Sequence, residues 1–132
     1  DYLSKGGRIG KVTGLAANFL NVKPMIHFAD GEIFSGGMAR GRQKSMEKAI
    51  EQLLGYLAER KADPDDYRII AGYGYDADEG RRFWMQLRAA LRTRYPASEG
   101  DAGLLQIGAA IAVHTGPYAL GVGVMRKWKK KA

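Results

Sequence analysis

His114 and Thr115 close an apolar run. Gly116-Pro117 follows at once, and then Tyr118-Ala119-Leu120-Gly121-Val122-Gly123-Val124. An imidazole, a hydroxyl and the backbone N–H groups of a Gly-Pro turn all donate hydrogen bonds, so this stretch can hold a carboxylate or a phosphate. The same spacing also fits a plain hairpin with a polar end, and the residues alone leave both readings open. Gly121 and Gly123 strip side chains from one strand face, while Leu120, Val122 and Val124 keep the other apolar. A bare strand face admits a ligand or another backbone closely; a helix packed on the sheet would use it equally well.

Arg8, Arg40 and Arg42, with His114, form a second constellation. The guanidinium is a planar fork that matches carboxylate and phosphate geometry, although each arginine also reads as a solvated surface residue. Sets suited to catalysis are scarce. There is no cysteine and there are two histidines, His27 and His114, so a zinc cluster is poorly supplied. His27, inside an apolar strand, reads as structural. No serine sits in a Gly-x-Ser-x-Gly elbow, and Gly72-Tyr73-Gly74 lacks the glycine pattern of a dinucleotide site. Asp76, Asp78 and Glu79 read as helix-start residues rather than an acid/base couple. The expectation is a binding protein, with no catalytic residue, no metal and no cofactor beyond a bound ligand.

The elements that must position these residues follow from periodicity. Residues 11–19 predict a short helix, with Val12, Leu15, Ala16 and Phe19 on one face. Residues 22–28 predict a strand, Asp30-Gly31 a hairpin turn, and Glu32 to Phe34 the start of a second strand that Gly36-Gly37 breaks or bulges. Residues 43–60 predict a helix with Met46, Ile50, Leu53, Leu54 and Leu57 in one stripe. A strand over 67–75 precedes Asp76, an N-cap with Glu79 as capping-box partner, and a helix over 77–94 that Tyr95-Pro96 stops. Residues 104–113 are apolar on both faces and predict a central strand, and 119–125 a last strand. The result is an α/β fold, a mixed β-sheet with helices mainly on one face.

His114-Thr115-Gly116-Pro117-Tyr118-Ala119-Leu120-Gly121 resembles the C-terminal motif of the DegV family of bacterial fatty-acid-binding proteins. Gly6-Gly7-Arg8-Ile9, Leu20-Asn21-Val22-Lys23-Pro24-Met25-Ile26 and Arg40-Gly41-Arg42-Gln43-Lys44 resemble further family elements in the expected order. One departure is Tyr118, where the family usually has glycine. The resemblance implies a DegV-type C-terminal lobe over residues 1–126, followed by a basic tail at 127–132. It implies a fatty-acid carboxylate at His114, Thr115 and Gly116, and an acyl slot between sheet and helices with Ile26 and Ile111 as wall candidates. Each of those isoleucines is equally plausible as plain core. It further implies a role for Arg8, and for Arg40 or Arg42, in docking an ATP-binding fatty acid kinase subunit that phosphorylates the bound carboxylate. The spacing around Gly36-Gly37 leaves open which of the two matches the family arginine. Because Gly6-Gly7-Arg8-Ile9 lies mid-chain in family members, the N-terminal lobe is expected elsewhere in a longer protein or on a separate chain.

The 132 residues bound one domain by length. The absence of cysteine fits a reducing cytoplasm. No run approaches the ~20 apolar residues of a membrane span, and the opening residues do not form a signal peptide. The net charge of +7 invites a second reading, a nucleic-acid or anionic-surface module driven by the lysine-rich tail. Much of the excess sits in that tail and on helix faces that also carry acids, so nucleic acid is the less favoured partner. A small-molecule kinase of related fold is a third reading, and the missing nucleophile counts against it.

Overall fold

The structure, a computed structural model, describes residues 22–29 and 32–128. The helix expected at 11–19, the Asp30-Gly31 turn, Arg8, the end of the basic tail and the side chain of His114 lie outside the described residues. The element order is β1 (Val22–Ala29), β2 (Glu32–Arg40), α1 (Arg42–Glu59), a 3₁₀ turn (Pro64–Asp66), β3 (Tyr67–Tyr73), α2 (Ala77–Arg94), β4 (Gly103–Gln106), α3 (Ala109–Thr115) and β5 (Leu120–Arg126).

The described strands form two sheets. β1 and β2 pair antiparallel on their own, and β3 is the centre of a mixed three-stranded sheet ordered β4-β3-β5. β3 runs parallel to β4 and antiparallel to β5. The β1–β2 register shifts between Met25 and Ile26, which face Gly37 and Ser35. Gly36 is therefore the extra residue of a bulge, and β2 continues through it to Arg40. Two side chains of α1 hold this ribbon: Lys48 donates to the Met38 carbonyl at 2.8 Å and Gln52 to the Gly36 carbonyl at 2.7 Å.

The apolar stripes of α1 and α2 build the core. Met46, Ile50, Leu53 and Leu57 meet Phe83, Leu87 and Leu91 over Ile69 and Ala71 of β3, with Leu104, Leu120, Val122 and Val124 packed alongside. Strand alternation and register put all these strand residues on one face of the sheet. Both long helices cover that face. Asp76 caps α2 as expected, accepting from the amides of Asp78 at 3.0 Å and Glu79 at 3.1 Å. Glu79 does not reach back to close a capping box; its carboxylate turns to another element.

A second expectation is corrected as well. The strand expected over 104–113 is two elements: β4 ends at Gln106, and after Ile107-Gly108 the chain enters α3. β4 is an edge strand, and β3 is the central one. An apolar run without polar alternation does not separate a buried strand from a helix. Gly108 ends the strand, and the alanines of Ala109-Ala110-Ile111-Ala112-Val113 favour helix. The His-Thr pair therefore ends a helix, not a strand.

Candidate functional site

The His-Thr-Gly-Pro stretch lies where β3 ends and the chain passes from α3 to β5. Gly116, at φ +86°, takes the left-handed conformation that closes a helix. The turn at residues 116–119 is then bound to the end of β3. The Tyr75 amide donates to the Pro117 carbonyl at 2.6 Å, and the Gly74 amide to the Ala119 carbonyl at 2.9 Å. This approach requires glycine at 74, since a Cβ there would stand 2.0 Å from the Pro117 oxygen. Gln106, at the end of β4, donates to the Gly74 carbonyl at 3.0 Å and ties the neighbouring strand to the same corner. Crevices at the carboxyl ends of parallel strands are where open α/β sheets bind ligands.

Thr115 is half-buried and its hydroxyl lies 3.2 Å from both the Ile111 and Gly116 carbonyls. The hydroxyl hydrogen can serve one acceptor at a time and rotates freely, so it can leave a backbone carbonyl for a carboxylate without moving heavy atoms. Tyr118 does not take a left-handed backbone. Its ring stands edge-on to Tyr75, with centroids 6.0 Å apart.

The helix that leads into this turn is apolar and uncovered among the described residues: Ile111 is 54% exposed and Val113 70%. The second wall candidate, Ile26, is half-buried in β1. The face of the sheet opposite the core carries Ile70, Leu105 and a run of glycines. Gly72 pairs with Gly121, and Ile70 with Gly123. A Cβ at Gly123 would come within 3.0 Å of the Ile70 side chain, and one at Gly72 within 3.3 Å of Ile107. At Gly121 a Cβ would meet nothing within 4 Å among the described residues. The glycine stripe is thus partly filled by neighbouring isoleucines and open at 121.

The two arginines around Gly41 differ. Arg42, the first residue of α1, makes a fork-to-fork pair with Glu79: Nε to Oε2 at 2.8 Å and Nη2 to Oε1 at 2.5 Å. Its Nη2 also donates to the Tyr118 carbonyl. The Arg40 side chain is exposed and makes no hydrogen bond or ion pair among the described residues. The first turn of α1 holds no acid, and its N-cap, Gly41, offers no capping side chain. Its first-turn amides lack intrahelical acceptors, and with the exposed Arg40 beside them this helix end favours an anion, a role that Glu79 already fills for Arg42.

Sequence reasoning did not single out Gly74, Tyr75 or Gln106, whose roles arise from backbone contacts between distant segments. It read Glu79 as a helix-start residue. The Asp-x-x-Glu spacing signals a local cap and carries no trace of a partner 37 residues away. Among the described residues there is no group of three or more His, Cys, Asp or Glu that could hold a metal ion, and no helix is long and apolar enough to cross a membrane.

Comparison with known proteins agrees with this architecture. A family model described as an uncharacterised protein, DegV family, matches residues 1–127. A fatty acid-binding protein of Thermotoga maritima is 30% identical over 125 residues, covering 94% of this chain and 40% of its own. A DegV domain-containing protein of Deinococcus radiodurans is 30% identical over 124 residues, covering 94% and 41%. Among solved structures, a stearic acid-binding protein from Eubacterium ventriosum superposes with a TM-score of 0.77 at 41% identity, covering 96% of this chain and 41% of its own. A fatty-acid-binding DegV family protein from Thermus thermophilus gives 0.68 at 28%, covering 96% and 42%. The chain spans about two fifths of the length of the curated relatives it matches. With a family match running through all but its last five residues, the chain belongs to the DegV family.

Proposed function

We propose that the protein is a fatty-acid carrier. The single observation that carries this reading is the apolar helix α3, uncovered among the described residues, which ends in the Thr115-Gly116 turn at the same end of the sheet as glycine position 121, where a Cβ would meet none of the described residues. A long acyl chain supplies what such a surface lacks. At about 0.8 kcal/mol per buried CH₂, the hydrocarbon provides most of the affinity. Ile111 and Ile26 are the proposed wall residues. His114, Thr115 and Gly116 fix the carboxylate, His114 with its imidazole, Thr115 with its hydroxyl and Gly116 with its amide. The fatty-acid-binding descriptions of the relatives support the ligand class.

In this reading the carrier presents the carboxylate to an ATP-binding fatty acid kinase subunit and does no chemistry itself. Alignment of the acyl carboxylate with a γ-phosphate is the carrier's contribution to transfer. Arg40, whose side chain is exposed and has no partner among the described residues, is the docking arginine of this reading, with Arg8 as its companion. Native mass spectrometry of the full-length protein as purified from bacteria tests the ligand. A co-purifying long-chain fatty acid is expected, and an empty protein that also takes up no added fatty acid sinks the reading. For the docking step, Arg40→Ala should lower acyl-phosphate formation by the kinase subunit without lowering fatty-acid occupancy.

A second reading draws on the far end of the sheet. Arg68, Met125, Arg126, Lys127 and Trp128 line an open hollow of about 440 Å³, three cations beside two exposed apolar side chains. An anionic surface or a nucleic acid would suit it. Deleting residues 127–132 should abolish salt-dependent binding to such partners and leave fatty-acid occupancy unchanged.

A further inference from the structure

Glu79 and Arg42 make an ion pair whose location calls for an explanation. Arg42 sits at the first position of α1, where the helix dipole disfavours a cation. Glu79 lies in the first turn of α2, and its side chain is only 15% exposed. A carboxylate this far out of water needs charged or hydrogen-bonded partners. Arg42 supplies both of its oxygens, and then uses the same Nη2 to reach the Tyr118 carbonyl.

That third contact matters because of where it falls. The carbonyls of Pro117 and Ala119 accept from the Tyr75 and Gly74 amides at the end of β3. The Tyr118 carbonyl between them accepts from Arg42. Three successive carbonyls of the turn are therefore held, two by backbone and one by a side chain. The turn begins at Gly116, directly after Thr115.

We propose that Arg42 is a positioning residue: with Glu79 as its anchor, it latches the 116–119 turn against the N-terminal ends of α1 and α2 and so sets how firmly the turn retains a ligand carboxylate. The inference rests on the fatty-acid reading above for its ligand and on the observed contacts for its geometry. It also divides the labour of the Arg40-Gly41-Arg42 step. Arg40 faces solvent for a partner, while Arg42 works inward on the turn.

The test uses the full-length protein, with stearate as the probe. Arg42→Lys keeps the charge and loses the fork; Glu79→Gln keeps the shape and loses the charge. Each should speed stearate transfer to phosphatidylcholine vesicles by about tenfold, the scale of one charge-assisted hydrogen bond. Each should also speed hydrogen exchange at the Gly74 and Tyr75 amides, while Ile69 and Ala71 in the core exchange as before. The swap Arg42→Glu with Glu79→Arg restores the ion pair but moves the guanidinium away from Tyr118. It should recover the melting temperature and leave release fast. A swap that restores slow release reduces the pair to a stability element and overturns the proposal, as does unchanged exchange at Gly74 and Tyr75. Faster exchange with unchanged stearate release detaches the turn from the carboxylate and also overturns it. Wild-type protein that takes up no stearate defeats the fatty-acid reading itself, a result visible before any variant is made.

Discussion

The two faces of the three-stranded sheet are built from alternate residues of the same strands and yet are opposites. One face presents Ile69, Ala71, Leu104, Val122 and Val124 to α1 and α2, and Phe83, Leu57, Leu87 and Leu91 above it are fully buried. The other presents Ile70, Leu105, Gly72, Gly121 and Gly123, and stays outside that cluster. Close packing on the first face makes every methylene count toward stability. Missing side chains on the second weaken a strand locally, which is acceptable where the space serves something else. The contrast teaches that stability rests on one face while the other is left open; in the reading proposed above, that open face is the one that takes a ligand, and the turn at 116–119 lies at its edge.

That contrast can be broken at measurable points. Phe83→Ala removes a fully buried ring from the packed face. It should cost about 3–5 kcal/mol in urea unfolding; a loss below about 1 kcal/mol would show that this face is not the core. Gly74→Ala drives a methyl into the Pro117 oxygen at the corner where the faces meet. Strain of this kind costs about 1–3 kcal/mol, and the displaced turn should also release bound fatty acid faster, followed by transfer to vesicles. Asp76→Ala removes the α2 cap, for about 1 kcal/mol of thermal stability; fatty-acid occupancy should stay the same. Gly121→Val probes the open face. It should change stability by no more than about 0.5 kcal/mol, as at a site away from packed features, and still lower co-purified fatty acid in native mass spectra. Unaltered occupancy in that variant would remove position 121 from the ligand's path.

The two long helices were legible because each carries an uninterrupted apolar stripe, and their starts and stops follow local chemistry: Asp76 for α2, Tyr95-Pro96 after it. The final strand was legible from its alternation of Val and Gly. Residues 104–113 were not, because a run that is apolar at every position satisfies both strand and helix. The direction of the chain into Thr115 changed with that reassignment. At the site, the polar motif at residues 114–117 stood out by composition. The glycine at 74 and the carboxylate at 79 did not, because their partners are distant in sequence.

Sequence alone determined which segments become amphipathic and which residues could bind an anion, since both depend on side-chain type and near-neighbour spacing. Only the tertiary structure decided that Arg42 turns inward to Glu79 while Arg40 turns out, and that Gly74 must lack a side chain. Those outcomes depend on how closely separate segments approach, and approach is set by the packing of α1 and α2 on one face of β3, which no local pattern encodes.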